Sequence, residues 1–308
     1  MQRAALIPQA WAAWQRFWFA GPSPVALDGV RAAVGVALLV VYGPLGDDLG
    51  RLYGPHGWAP PAAAVADLGE AAWWSPLDGA TSVALAAARW GLLAAGALLT
   101  VGVASRAASI AAWLGHLAFM HRAPLATYGV DYALASLLFV LALAPTGRIL
   151  ALWPSARPYG DWGRACLRAI QVQWAVAFLF AGFSKLRGDA WWHGWAVWDA
   201  MAHADFAPAP GADLLARSPI LVNLLTYGAL VVELGYPVGV WTRLRRAWVL
   251  AALALHLGIA LTLDLWAFSF VMAAGHLAFW PAKRSPGPSQ DAQPLGDAEQ
   301  SAGRPTGA

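Results

Sequence analysis

The sequence predicts an all-α fold, a polytopic membrane helix bundle of about eight transmembrane helices. Three observations predict it. The chain of 308 residues is 59% hydrophobic and only 12% charged, about half the charged share of an ordinary soluble domain. Its mean hydropathy of +0.52 reflects more apolar surface than a soluble fold can hide, whereas a bilayer accepts it. It also holds 19 Trp, whose indole rings favour the membrane–water boundary.

The elements follow in chain order. Residues 1–25 read as an interfacial segment, because Trp11, Trp14, Arg16, Phe17 and Trp18 precede a stop at Gly21-Pro22-Ser23-Pro24. The pattern of a cleavable signal peptide is not apparent there. A spanning helix needs roughly 20 apolar residues. Eight segments approach that length, at about 26–45, 81–104, 106–122, 127–146, 165–187, 219–241, 246–264 and 266–281. Residues 26–281 thus form a transmembrane domain. Residues 282–308 are rich in Pro, Gly, Ser and Gln with almost no apolar anchor, which predicts a disordered cytoplasmic tail.

Charge tests this layout independently, since cytoplasmic loops carry the Arg and Lys excess. With both termini cytoplasmic, the inner segments hold Arg3 and Arg16, Arg106, then Arg148, Arg157, Arg164 and Arg168, then Arg243, Arg245 and Arg246, and finally Lys283 and Arg284. The outer loops hold Asp47, Asp48, Asp67, Glu70 and Asp78, later Asp189, Asp199, Asp205 and Asp213, and last Asp264. An odd number of spans would put an Arg cluster on the wrong side. The expected location is the cell (inner) membrane. The sequence pI of about 9.2 would suggest nucleic acid in a soluble protein; here the basic residues sit between apolar spans and serve topology. Cys166 is the one cysteine, so neither an intrachain disulfide nor a dithiol couple can form.

Trp191, Trp195 and Trp198 fall at i, i+4 and i+7 in the outer loop after span five, one face of a helix. That face reads as an interfacial anchor or as a lid over a lipid-accessible pocket. Ionisable side chains inside spans are costly and so point to a site. They are Arg89, His116, Asp131, Glu233 and His256, with Lys185 at the outer end of span five. Each also has a structural alternative: Lys185 and Arg187 could snorkel, Arg89 and Asp131 could form an ion pair, and His256 could donate to a backbone carbonyl. His116, His121, His256 and His276 stand singly, without the spacing of a metal site. No phosphate loop, dinucleotide-binding glycine pattern or serine elbow occurs either.

Phe178-Leu179-Phe180-Ala181-Gly182-Phe183-Ser184-Lys185-Leu186, followed by Gly188-Asp189-Ala190-Trp191-Trp192 and Gly194, resembles the HTTM (horizontally transferred transmembrane) domain family. That family includes the membrane part of vitamin K-dependent γ-carboxylase, and this segment is similar to its F-x-A-G-x-x-K-L motif and D-W…G loop. Three further stretches resemble it in order: His121-Arg122-Ala123-Pro124-Leu125 with Gly129 and Asp131; Glu233-Leu234 with Pro237; and His256-Leu257-Gly258-Ile259-Ala260 with Phe268-Ser269. The resemblance covers residues 26 to 281. It implies a hydroquinone cofactor, such as vitamin K or menaquinol, deprotonated by a base in a lipophilic outer pocket. The base role falls on Lys185, with Arg122 and His256 completing a catalytic set that holds the quinone oxygens. Asp131, His121, Glu233 and Trp192 are then the expected substrate-binding residues.

The departures bear on substrate. The chain lacks the carboxylase's large extracytoplasmic portion, carries Ser184 where a second lysine stands in the motif, and has His121 where relatives have Asn. Quinone-dependent oxidation or peptide modification is therefore expected rather than carboxylation of a tethered protein. A competing reading is a short bacterial, non-catalytic module for maturation or export of a secreted antimicrobial peptide, like sporulation-delaying protein B. A third is a transporter, supported only by the buried charges and weakened by the lack of internal repeats. The expected partners are the bilayer, a quinone and a secreted peptide, with no nucleic acid.

Overall fold

The computed structural model describes residues 2–280 apart from 22, 55, 59, 61, 62, 64, 67, 68, 70–73, 204–214 and 216. The expected disordered tail, 282–308, lies outside these residues, as do Asp67, Glu70, Asp205 and Asp213. Among the described residues the fold is all-helical, with no strand. The helices are α1 (Gln2–Phe19), α2 (Ala26–Tyr42), α3 (Asp48–Tyr53), α4 (Ser82–Val101), α5 (Ser105–Arg122) and α6 (Gly129–Leu143), then α7 (Gly160–Lys185), α8 (Asp189–Trp192), α9 (Ala196–Ala202), α10 (Pro219–Gly239), α11 (Arg245–Leu263) and α12 (Trp266–His276). Each of the eight expected apolar segments is a helix.

Local chemistry sets their ends. Gly102, at φ +74°, turns its N–H back to the carbonyls of Leu98 and Leu99 and closes α4. Asp131 accepts the Tyr128 N–H at 3.0 Å and opens α6. Pro219 fits the first turn of α10, where a missing N–H costs nothing, and Ser218 accepts from the Leu221 N–H. α7 begins at Gly160, five residues before the expected start, and Asp161 and Arg164 pair at 2.7 Å on its first turn.

Four helices are long and apolar enough to cross a bilayer: α4, α7, α10 and α11. α6 and α12 are apolar but shorter, and α2 and α5 carry charged or imidazole side chains at Asp28, Arg31, His116 and Arg122. Outward faces are apolar: Val83, Ile220, Val238, Phe180 and Leu224 are all largely exposed. Lipid requires such a surface and water penalises it. α2 lies at the centre, packed against α4, α6 and α12, while α7 packs on α10 and α10 on α11. α1 rests along α7, where Arg168 donates to the Phe17 carbonyl and lies over the Phe17 ring. With Trp11 and Trp14 exposed, that placement suits an interfacial helix.

A buried ionic network ties together the Gly160 end of the bundle. Asp28 and Arg31 are fully buried on α2. The Asp28 carboxylate accepts from Arg31 Nε at 3.3 Å, from the N–H groups of Gly147, Arg148 and Ile149, and from the Tyr159 hydroxyl at 2.6 Å. Arg31 donates to the carbonyls of Leu99 and Leu150. Burial, and then the Asp28 carboxylate, push the Tyr159 phenol up. Sequence reasoning passed over this pair, whose i, i+3 spacing at the start of an apolar run was the available signal.

Candidate functional site

Gly182 lets α7 and α10 approach closely, since a side chain there would strike Leu234. One turn later Lys185 Nζ meets Glu233 Oε1 at 2.8 Å, with Glu233 buried and Lys185 about a quarter exposed. Trp191 covers the ammonium, its ring centroid 5.3 Å from Nζ. Lys185 is thus an ion-pair partner rather than a snorkelling lysine. Glu233 lies roughly 20 Å along α10 from Pro219 at 1.5 Å per residue. Lys185 therefore ends α7 beside the second half of α10.

One helical turn below Glu233, the Tyr236 hydroxyl pairs with His276 Nδ1 at 2.7 Å. His276 lies 5.7 Å, ring to ring, from His256, and His256 the same distance from Phe268. Phe178 of α7 stacks on Tyr236 at 4.1 Å and meets His256 edge-on. Four helices thereby contribute to one cluster, joined to the Lys185 pair through Glu233 and Tyr236 one turn apart on α10. Among the described residues His256 donates to no backbone carbonyl, and both its ring nitrogens lack a hydrogen-bond partner. Nine buried side-chain atoms among the described residues are in that condition; four are in the cluster, Glu233 Oε2, His256 Nδ1 and Nε2 and His276 Nε2, and a fifth, Ser269 Oγ, lies two turns before His276 on the same face of α12. Tyr236 and His276 were not expected as site residues. The Tyr–His pair has no signature in sequence because its members are 40 residues apart.

The other expected site residues stand elsewhere. Arg122 is buried and donates to the Gly54 carbonyl at 2.7 Å, leaving Nη1 without a partner. Among the described residues it shares no hydrogen bond or ion pair with Lys185 or His256. Asp131 serves as the α6 cap, and its carbonyl meets His116 Nε2 at 3.0 Å. His116 in turn pairs with the Tyr42 hydroxyl at 2.7 Å. Arg89 does not pair with Asp131; it donates to the Tyr42 and Gly43 carbonyls, satisfying the end of α2. His121 is half-buried in the last turn of α5. Trp192 is exposed and donates to the Leu186 carbonyl at 2.8 Å.

The tryptophan face is also corrected. Gly194, at φ +80°, breaks the helix between Trp191 and Trp198. It is buried against Asn223, whose Oδ1 would lie 2.7 Å from any added Cβ. Tyr227 donates to the Trp192 carbonyl and Val197 N–H to Thr226 Oγ1. The segment after Lys185 thus runs along the first half of α10 as two short helices. Such broken backbone is tolerated at membrane depth only against protein or a wet cavity.

The chain matches no protein-family model, no curated protein and no solved structure with which it was compared.

Proposed function

We propose that this is an HTTM-like, eight-span protein of the bacterial cell membrane, with both termini cytoplasmic, that binds a hydroquinone at the Lys185–His256 cluster for quinone-dependent oxidation or peptide modification. The observation that carries the reading is the set of four unpartnered polar atoms in an aromatic surround beside a Lys–Glu pair. Each such atom costs about 1–3 kcal/mol if left unsatisfied, so a ligand bearing oxygen atoms on a ring is a chemically apt partner. Phe178, Phe268 and Tyr236 supply ring faces, while His256, His276 and Ser269 supply the polar contacts. A cavity of about 260 Å³ reaches the cluster at His276, slightly below the usual range for small-molecule sites. A ring with its tail enters only if neighbouring side chains shift.

A bound hydroquinone would supply the reducing equivalents. The residues here would govern its proton. Lys185 and Glu233 form a unit at 2.8 Å: for Lys185 to accept a proton, its own must first pass to Glu233 or leave the site. Arg122 has no part in this set, a revision of the role the resemblance gave it.

Two measurements test the reading. Native mass spectrometry of the purified protein should show a co-purifying quinone, lost in His256→Leu. Lys185→Arg keeps the ion pair but cannot act as a base; it should lower quinone-dependent turnover at least about tenfold while the quinone still binds. Full turnover in Lys185→Arg would refute Lys185 as the base and leave it to neutralise Glu233; absence of both a bound quinone and quinone-dependent turnover in the parent protein would favour the non-catalytic peptide-maturation module.

A further inference from the structure

A second polar feature lies at the opposite end of the bundle. Trp162 stands 23 residues before Lys185 on α7, roughly 35 Å away at 1.5 Å per residue. Beside it a cavity of about 990 Å³ is walled by Ile110, Leu143 and Trp153. Its polar corner is built from three chain segments. Ser105 and Arg106 open α5; Thr146 follows α6; Arg157 belongs to the next loop. The Ser155 N–H donates to the Gly147 carbonyl at 2.6 Å, which holds that loop against the α6 exit, and Gly147 backs directly onto Ser105.

Four features of that corner point to an anion. Ala104 offers no side-chain cap, so the first N–H groups of an 18-residue helix end without a capping acceptor. Ser105 and Thr146 are more than nine-tenths buried, and neither hydroxyl has a partner among the described residues. Among the described residues the Arg106 and Arg157 guanidiniums have no partner either. No carboxylate lines the cavity. Helix N–H groups, hydroxyls and guanidiniums together are the donor set that binds phosphate.

We propose that this cavity is a phosphate-ester site that takes the headgroup of an anionic phospholipid. The apolar walls receive the upper acyl chain while Arg106, Arg157, Ser105 and Thr146 hold the phosphate. Under the topology proposed above, it faces the cytoplasmic leaflet, where the flanking Arg residues also concentrate anionic lipid. The site is independent of the Lys185 cluster, so either assignment can fail alone.

The test uses the full chain in detergent micelles. Cys166 is its one cysteine and is buried, so thiol labelling on heating reports unfolding. Dioctanoyl phosphatidylglycerol, dioctanoylglycerol and glycerophosphoglycerol are titrated separately. Phosphatidylglycerol should raise the melting temperature in a saturable way, and dioctanoylglycerol should not. Arg106→Gln with Arg157→Gln should weaken its binding at least about tenfold, and Ser105→Ala with Thr146→Val severalfold. Arg106→Lys with Arg157→Lys retains charge and should retain most of the affinity, which separates lost binding from a damaged fold. Protection by glycerophosphoglycerol alone would uphold the phosphate site and assign it to a soluble ester. Equal protection by dioctanoylglycerol, or unchanged phosphatidylglycerol affinity in the Gln double variant, would overturn the proposal.

Discussion

Asp28→Asn preserves the shape of a buried side chain that accepts five hydrogen bonds, so its cost can be worked from the structure. Oδ2 faces the N–H groups of Arg148 and Ile149 and the Tyr159 hydroxyl. Oδ1 faces Arg31 Nε and Gly147 N–H. The amide keeps one oxygen, best placed toward the three donors, and turns its NH₂ toward the other two. Two charge-assisted bonds vanish, at about 1.5–3 kcal/mol each, and Arg31 becomes a buried cation without its counterion, a change of about 3–5 kcal/mol when one partner of a buried pair is removed. These figures overlap because the Arg31 bond enters both, so about 3–5 kcal/mol is the expected total. At about 2–4 °C per kcal/mol, melting followed by Cys166 labelling should fall by on the order of 10 °C. Asp28→Asn with Arg31→Met removes the stranded charge as well and should recover at least about 1 kcal/mol relative to the summed single variants. A fall below about 2 °C for Asp28→Asn, or strict additivity in the cycle, would refute the network as a determinant of stability.

Other consequences follow. Gly275 is the notch that receives the buried Trp174 indole; Gly275→Ala should destabilise by about 1–3 kcal/mol through overpacking, read by the same labelling. Tyr53 lies outside the apolar spans, and burial first, with the Asp131 charge second, pushes its phenol up to about 12 from 10.0. The folded state then holds a proton that the unfolded state loses, so stability falls as pH rises from 10 to 12, by about 2–3 kcal/mol; Tyr53→Phe should flatten that limb. Reporter fusions after Gly79 and Ser218 should read extracytoplasmic, and a fusion after Pro154 cytoplasmic; a cytoplasmic signal at Ser218 would remove the eight-span layout.

Most helices were legible because their determinants are local. Apolar length, Gly102 after α4, Pro219 at the head of α10 and Pro145 after α6 mark ends that need no partner. The tryptophan face misled because i, i+4, i+7 spacing is local too, and what breaks it is tertiary: the packing of Gly194 against Asn223. The site was half legible. Lys185, Glu233 and His256 stood out because ionisable groups are rare in apolar runs, but spacing cannot tell which spans meet. Asp131 stood out for the same reason and serves the start of α6, while Arg122, singled out by the resemblance, serves the Gly54 carbonyl. His276 and Tyr236 were unremarkable in sequence, since each gains meaning only from the other.

The two buried polar groupings on α2 and α10 argue in opposite directions about why polar residues persist inside this bundle. At the Gly160 end, every oxygen of Asp28 and most donors of Arg31 are used within the protein, and the loop from Gly147 to Tyr159 is folded around them. That arrangement explains itself as structure. At the Lys185–His256 cluster, the protein satisfies one oxygen of Glu233 and one nitrogen of His276 and leaves four atoms over. An apolar side chain of similar volume at His256 would remove two of those atoms at a stroke, with no hydrogen bond lost. Packing alone therefore gives no reason for an imidazole there. A bound ligand, as proposed, would supply one, and this is why His256, more than Lys185 with its partner already in hand, is the residue whose replacement should be most informative about function.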